Sequence, residues 1–117
     1  NILETVPMLN IFAPAIENGE EILIPTITIY EVFKKFCVDL DVDAGEEAVF
    51  HMKQALVVDL SLEIALLAAK QSIHYKLPMA DSIIYATAQL HSATLWTQDQ
   101  HFDGLPGVQY IEKGKNP

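Results

Sequence analysis

Hydrophobic residues follow two different spacings along this chain. Short apolar or β-branched runs at residues 22–24, 93–97 and 108–111 are typical of buried strands. The segments between them repeat apolar residues every three or four positions, as amphipathic helices do. A further run, at residues 57–58, fits either a short strand or a linker. Strands that alternate with helices predict an α/β fold, with three α/β/α layers and a mainly parallel central sheet.

Capping and turn residues limit the predicted helices. Pro7 suits the first turn of a helix, and Asn18 with Gly19 is typical of a helix end. Ser61 is a suitable N-cap for a later helix. The five predicted helices lie at about residues 6–16, 28–37, 48–56, 61–75 and 81–88.

The composition narrows the class of protein. With 117 residues, 50% of them apolar, the chain is expected to form one domain, and no apolar run is long enough to cross a membrane. Sixteen acidic residues against seven lysines give a net charge of −9, which argues against a broad phosphate-binding surface. Acidic residues that hold divalent cations would reverse the local field. The single cysteine, Cys37, fits a reducing, cytoplasmic compartment.

Three acidic residues each have an ordinary structural explanation. Thr28 and Glu31 have the spacing of a capping box, in which the glutamate side chain accepts a hydrogen bond from the N-cap backbone. Asp81 stands near a predicted helix start, where the helix dipole favours a negative charge. Asp99 follows a predicted strand, where aspartate commonly forms turns. Asp103 is explained by a turn in the same way.

The same three acids, Glu31, Asp81 and Asp99, are also predicted to share one edge of the sheet. Open α/β sheets bind ligands beyond the carboxyl ends of their strands, which is where these residues would lie. Two carboxylates about 4 Å apart repel by about 4 kcal/mol at an effective dielectric constant of about 20. Such a cluster stays partly protonated or binds a cation. Because the ligands are oxygens, we expect Mg²⁺ or Mn²⁺.

Other kinds of site fit the sequence poorly. Residues 39–45 resemble the opening of a calcium loop, but Ala44 and Phe50 stand where that loop needs glycine and glutamate, so a solvated acidic turn is predicted. The chain has no glycine-rich phosphate loop. The aromatic residues Tyr30, Tyr85 and Trp96 are predicted to lie in the core. The histidines lack zinc-binding spacing; they are His51, His74, His91 and His101.

Three segments together carry a resemblance to a known family. They read PTITIYEVFKK at residues 25–35, LPMADSIIYATA at residues 77–88 and LWTQDQHFDGLPGV at residues 95–108. In this order and spacing they resemble PIN-domain ribonucleases, and most closely the VapC-type toxins of bacterial toxin–antitoxin pairs. The resemblance covers nearly the whole chain and implies a PIN-like α/β/α fold.

The resemblance implies a joint role for the acids. In the family, four acids hold one or two Mg²⁺ or Mn²⁺ ions, which bind the scissile phosphate and activate water. Glu31, Asp81 and Asp99 match the second, third and fourth acids, and Thr97 matches a serine or threonine that hydrogen-bonds within the site. The first acid ends an apolar strand that residues 1–117 are expected to lack, because Asn1 resembles the sequence just after it. The chain is thus expected to be one N-terminally incomplete PIN-like domain.

The function implied by the resemblance is a metal-dependent endoribonuclease. Its products would carry 5′-phosphate and 3′-hydroxyl ends, a cognate antitoxin would insert a basic side chain among the acids, and the protein would form a homodimer. Two alternatives stay open: an RNA-processing PIN nuclease without an antitoxin, and a non-catalytic interaction module. The missing first acid favours the non-catalytic module, whereas the three retained acids favour an enzyme.

Overall fold

The structure, a computed structural model, describes residues 15–19 and 21–112. Its strands form one five-stranded sheet in the order β3-β2-β1-β4-β5. In chain order the elements are β1 (Ala15–Asn18), β2 (Glu21–Pro25), α1 (Thr26–Asp39), α2 (Val42–Met52), β3 (Leu56–Val58), α3 (Leu62–Tyr75), α4 (Met79–Leu90), β4 (Thr94–Thr97), a 3₁₀ helix (Gln100–Phe102) and β5 (Val108–Tyr110). Within the described ranges, no helix combines the length and the apolar character needed to cross a membrane.

Four of the five strands run in the same direction. Both β2 and β4 pair antiparallel with β1, so they are parallel to each other. On the outer sides, β3 pairs parallel with β2 and β5 pairs parallel with β4. The carboxyl ends of these four strands therefore lie at the same edge of the sheet. The predicted α/β class with a mainly parallel sheet is confirmed.

Helices cover both faces of the sheet, as predicted. Successive residues of a strand point to opposite faces. Ile24 of β2 packs in a cluster with Val32 of α1 and Met52 of α2. Its neighbour Leu23 packs instead in a cluster with Tyr85 of α4. Helix α3 packs against α4 on that second face. The arrangement is a three-layer α/β/α fold.

The centre of the sheet differs from the sequence-based prediction. A helix is predicted over residues 6–16, but Ala15 and Ile16 begin β1, and residues 6–14 lie outside the described part of the chain. Ile16 is paired with Leu23 on one side and Leu95 on the other, and all three are at most 1% exposed. Pairing with two strands buries Ile16 more completely than the outer face of a helix could. Gly19, with φ of 67°, then turns the chain into β2.

Two other boundaries depend on tertiary pairing or on capping. The helix predicted over residues 48–56 begins earlier, at Val42, and ends at Met52. It stops before Leu56 because Leu56 belongs to β3, where it pairs with Leu23 of β2. The run at residues 57–58 is therefore part of a strand. The predicted acidic turn caps α2: the N–H of Ala44 donates to Asp41 Oδ1 at 2.8 Å. Ser61 caps α3 as predicted, since its Oγ accepts a hydrogen bond from the N–H of Ile64.

Candidate active site

Three separate elements carry Glu31, Asp81 and Asp99 to the carboxyl edge of the sheet. Glu31 lies on α1, which follows β2 directly. Asp99 lies two residues beyond the end of β4, which runs in the same direction as β2. Asp81 lies in the first turn of α4. The electrostatic effects of Asp81 and Asp99 both reach Glu31, so the three carboxyl groups form one neighbourhood.

The capping-box interpretation of Glu31 is wrong. Strand β2 runs through Pro25 straight into α1, so the helix begins at Thr26, and no side chain caps it. Thr28 therefore lies inside the helix, where it is 1% exposed, and its Oγ1 has no hydrogen-bond partner among the described residues. Glu31 is left on the exposed surface of α1 without a capping role.

His101 lies between two of the acids. Its Nδ1 is 2.9 Å from Asp81 Oδ2 and 3.1 Å from Asp99 Oδ1. Each of the three side chains offers one donor atom, and these atoms lie within 4.8 Å of one another. The Asp81 side chain is 15% exposed, whereas that of His101 is 59% exposed, so the group is open to solvent on the histidine side.

Two hydrogen bonds between backbone and side chain hold the loop that carries Asp99 and His101. The buried Thr97 ends β4, and its Oγ1 accepts a hydrogen bond from the N–H of Asp99 at 3.0 Å. Asp99 Oδ1 in turn accepts from the N–H of His101 at 2.9 Å. The next residue, Phe102, is fully buried in the core beside Tyr85. The loop is therefore tied to the core on both sides of the exposed imidazole.

Partial burial and mutual repulsion disfavour the charged forms of the acids. Loss of hydration, followed by the charges of Asp81 and Asp99, raises the pKa of Glu31. Loss of hydration and then the charge of Asp99 also raise the pKa of Asp81, and contact with His101 offsets part of that effect. The charge of Asp99 and the hydrogen bond to Asp81 raise the pKa of His101. The site gathers more negative charge than its own groups neutralise.

The donor set fits a divalent cation. Carboxylate oxygens are the ligands that Mg²⁺ and Mn²⁺ prefer, and imidazole nitrogen is a common ligand of transition metals. A cation placed among Asp81, Asp99 and His101 would relieve the repulsion that raises the acid pKa values. Thr97 is placed to hold the backbone of Asp99 rather than to add a charged donor.

The comparisons with known proteins agree with this geometry. The PIN domain family matches residues 3–108 of the chain. The chain belongs to the PIN-domain family. This PIN domain is also similar to a chain in the structure of a toxin–antitoxin complex from Klebsiella pneumoniae, with a TM-score of 0.66 and 32% sequence identity, covering 77% of this chain and 74% of that chain. None of the curated proteins matches the sequence. The predicted resemblance to VapC-type PIN domains is confirmed.

Sequence reasoning brought together the three acids of this PIN domain but missed His101. Zinc-binding spacings relate histidines only to one another, so they give no sign of a histidine beside the acids. The signal was local: Asp99 and His101 are two residues apart, just after a strand. The contact with Asp81, 20 residues away, has no such signal, because it depends on how α4 packs on the sheet. PIN domains are generally nucleases that use divalent metals, which is consistent with this group of donors.

Proposed function

We propose that this PIN domain is a metal-dependent endoribonuclease of the VapC toxin type. The observation that carries the proposal is the convergence of Glu31, Asp81 and Asp99 from three separate elements at one sheet edge. The raised pKa of Glu31 and of Asp81 supports it, because a group of acids that repel one another gains most from a bound cation. The net charge of −9 supports it further, since RNA phosphates need a cation to approach such a surface.

The acids would divide the work of phosphodiester hydrolysis. Asp81 and Asp99, with Glu31, would hold Mg²⁺ or Mn²⁺. When bound, the cation supplies charge neutralisation at the phosphate and lowers the pKa of water. Glu31 is the more exposed of the two acids with a raised pKa, and we assign to its carboxylate the further role of accepting the proton of the attacking water. Thr97 positions the loop by accepting the hydrogen bond from the Asp99 backbone.

A depression beside Glu31 supports an antitoxin partner. It has a volume of about 370 Å³ and is lined by side chains of α1, which are Tyr30, Glu31, Lys34, Lys35 and Val38. Tyr30 was predicted to lie in the core, but it is 62% exposed, and Val38 is 74% exposed. The exposed apolar side chains of Tyr30 and Val38 suit the apolar face of an amphipathic antitoxin segment, whose basic side chain would reach Glu31 and the acids beyond it. The similar Klebsiella pneumoniae chain belongs to a toxin–antitoxin complex.

A homodimer is the remaining part of the proposal. Helix α3 exposes three large apolar side chains, Leu62, Leu66 and Ile73, which are 76%, 58% and 81% exposed. Exposed apolar groups of this kind commonly mark protein–protein contacts. We therefore propose that α3 contributes to contact with a second copy, in the cytoplasm of the producing cell.

The direct test is RNA cleavage by the full gene product. We expect cleavage of single-stranded RNA in Mg²⁺ or Mn²⁺, with 5′-phosphate and 3′-hydroxyl ends, and complete loss of cleavage in EDTA. Restoring the metal after EDTA treatment should restore cleavage, which controls for damage by the chelator. Metal-independent cleavage would contradict the mechanism. Metal binding without cleavage of any RNA tested would favour the non-catalytic interaction module.

A further inference from the structure

We propose that His101 Nδ1 is a ligand of the divalent cation, and that this nitrogen makes the centre select Mn²⁺ over Mg²⁺. The inference rests on the proposed function in one respect, that the acidic edge of the sheet holds a divalent cation. It goes further because a centre built only from carboxylates has no nitrogen donor with which to discriminate between these two ions.

The separations between the donor atoms carry the argument. His101 Nδ1 lies 2.9 Å from Asp81 Oδ2 and 3.1 Å from Asp99 Oδ1. Neighbouring ligands of an octahedral ion with bonds of about 2.1 Å lie about 3.0 Å apart. The nitrogen is therefore already at the spacing that it would need as a ligand next to each carboxylate oxygen.

The backbone that carries the imidazole is held by the chain around it. The His101 N–H donates to Asp99 Oδ1, and the Asp99 N–H donates to the hydroxyl of Thr97. Phe102, on the other side, is fully buried. A ligand held by the core loses little freedom when it binds an ion, and such pre-organisation favours binding. His101 is thus placed more firmly than its exposure suggests.

Binding of the cation exchanges one proton. Without metal, Nδ1 is placed to share its hydrogen with the carboxylates of Asp81 and Asp99. A metal ion takes the place of that hydrogen, and the proton leaves to solvent. A ring that carried hydrogen on both nitrogens thereby changes from cationic to neutral, because it keeps only the hydrogen on Nε2, and neutral imidazole is the form of histidine that binds metals.

The mixed donor set has a consequence for metal choice. Mg²⁺ is small, hard and strongly selective for oxygen, so replacing a bound water by an imidazole adds little to its binding free energy. Mn²⁺ is bound by carboxylates as Mg²⁺ is, but as a transition metal it also accepts nitrogen. We therefore expect the full gene product to bind Mn²⁺ at least about tenfold more tightly than Mg²⁺, and His101 to account for that difference.

Calorimetric titration with MnCl₂ and with MgCl₂ tests the selectivity without measuring activity. In His101→Ala, Mn²⁺ affinity should fall at least about tenfold and Mg²⁺ affinity less than about threefold. The control is His74→Ala, which removes an exposed histidine outside the donor group and should leave both affinities unchanged. If both ions lose affinity equally in His101→Ala, His101 only positions Asp81, and the inference is wrong.

Electron spin-echo spectroscopy of bound Mn²⁺ tests the bond itself. A directly coordinated imidazole gives a ¹⁴N coupling, which we expect in the wild type and in His74→Ala but not in His101→Ala. If the wild type shows no ¹⁴N coupling, the inference is overturned while the proposed function stays intact. This result does not depend on whether a variant folds. A coupling that persists in folded His101→Ala would also overturn it. Absence of all Mn²⁺ and Mg²⁺ binding would overturn both the inference and the metal-dependent function.

Discussion

The PIN domain contains two acidic regions that differ in what their carboxylates do. Around the turn between α1 and α2, two acids have local structural tasks. Asp39 pairs with Lys35 at 3.1 Å, and Asp41 caps α2. At the carboxyl edge of the sheet, Asp81 and Asp99 come from distant parts of the chain. There they share one histidine, His101, whose Nδ1 lies within hydrogen-bonding distance of both carboxylates.

The difference shows that acidic density along a sequence is a poor guide to where acidic side chains from distant parts of the chain come together. Residues 39–43 carry three acids in five positions, yet Asp39 forms an ion pair with Lys35 and Asp41 caps α2. The acids at the sheet edge are sparse in sequence but close in space. Two of them, Glu31 and Asp81, have a raised pKa because water and countercharge are both limited around them.

The largest expected contrast between the two regions is in catalysis. Asp81→Asn and Asp99→Asn should each lower RNA cleavage by about 100-fold or more, because each removes a charge that holds the cation. The matched control is Asp41→Asn, which makes the same chemical change in the other region and keeps a good N-cap. Rates of cleavage of one RNA by all three folded variants check this prediction. Full activity of either sheet-edge variant would remove that residue from the site.

Stabilisation of the protein by a bound metal ion should depend on the acids at the sheet edge and not on those near the turn between α1 and α2. At a Mn²⁺ concentration about 100 times the dissociation constant, we expect about 2.7 kcal/mol of added stability. Asp81→Asn should lose most of this gain, whereas Asp43→Asn, in the other region, should keep it. Unfolding in urea with Mn²⁺ and with EDTA measures the gain. An equal gain in both variants would place the bound ion elsewhere.

Loss of the α2 cap should affect stability and leave the chemistry intact. Asp41→Ala removes the acceptor for the N–H of Ala44 and should cost about 1 kcal/mol of unfolding free energy. Cleavage per folded molecule should match the wild type. Urea unfolding measures the first quantity, and a cleavage assay well below the unfolding transition measures the second. A large loss of cleavage in the folded variant would mean that the two regions are coupled.

The smallest expected effect is a pH dependence at Glu31 in the metal-free protein. The folded-state pKa of Glu31 lies above its ordinary value of 4.5, so its contribution to stability is fully present below that pH. The contribution is lost as the pH rises through the raised pKa. Glu31→Gln resembles the protonated form, so the variant should gain stability relative to the wild type between about pH 4 and pH 7, by less than about 1 kcal/mol at this exposed position.

Unfolding free energies of the wild type and Glu31→Gln in EDTA, measured across this range, check that prediction. The difference should shrink at high ionic strength, because salt screens repulsion between exposed charges. A difference that is independent of pH would show that the neighbouring acids do not affect Glu31.

Much of the fold could be predicted because its signals are local. The apolar run of β2, the cap at Ser61 and the breaks at prolines each act over a few residues, and they place most helices and strands correctly. The failures occur where distant pairing decides the structure. Ile16 joins the centre of the sheet, and Leu56 leaves a predicted helix to pair with Leu23.

The sequence by itself determined that three acids would follow strands or begin helices in an α/β fold of the PIN family. It did so because hydrophobic spacing sets the elements, and the elements set which residues lie at their ends. Only the tertiary structure decided that Glu31 does not cap its helix and that His101 lies between Asp81 and Asp99. Those outcomes depend on where β2 joins α1 and on how α4 packs beside the loop after β4. Contacts between residues far apart in the chain leave no periodic pattern to read.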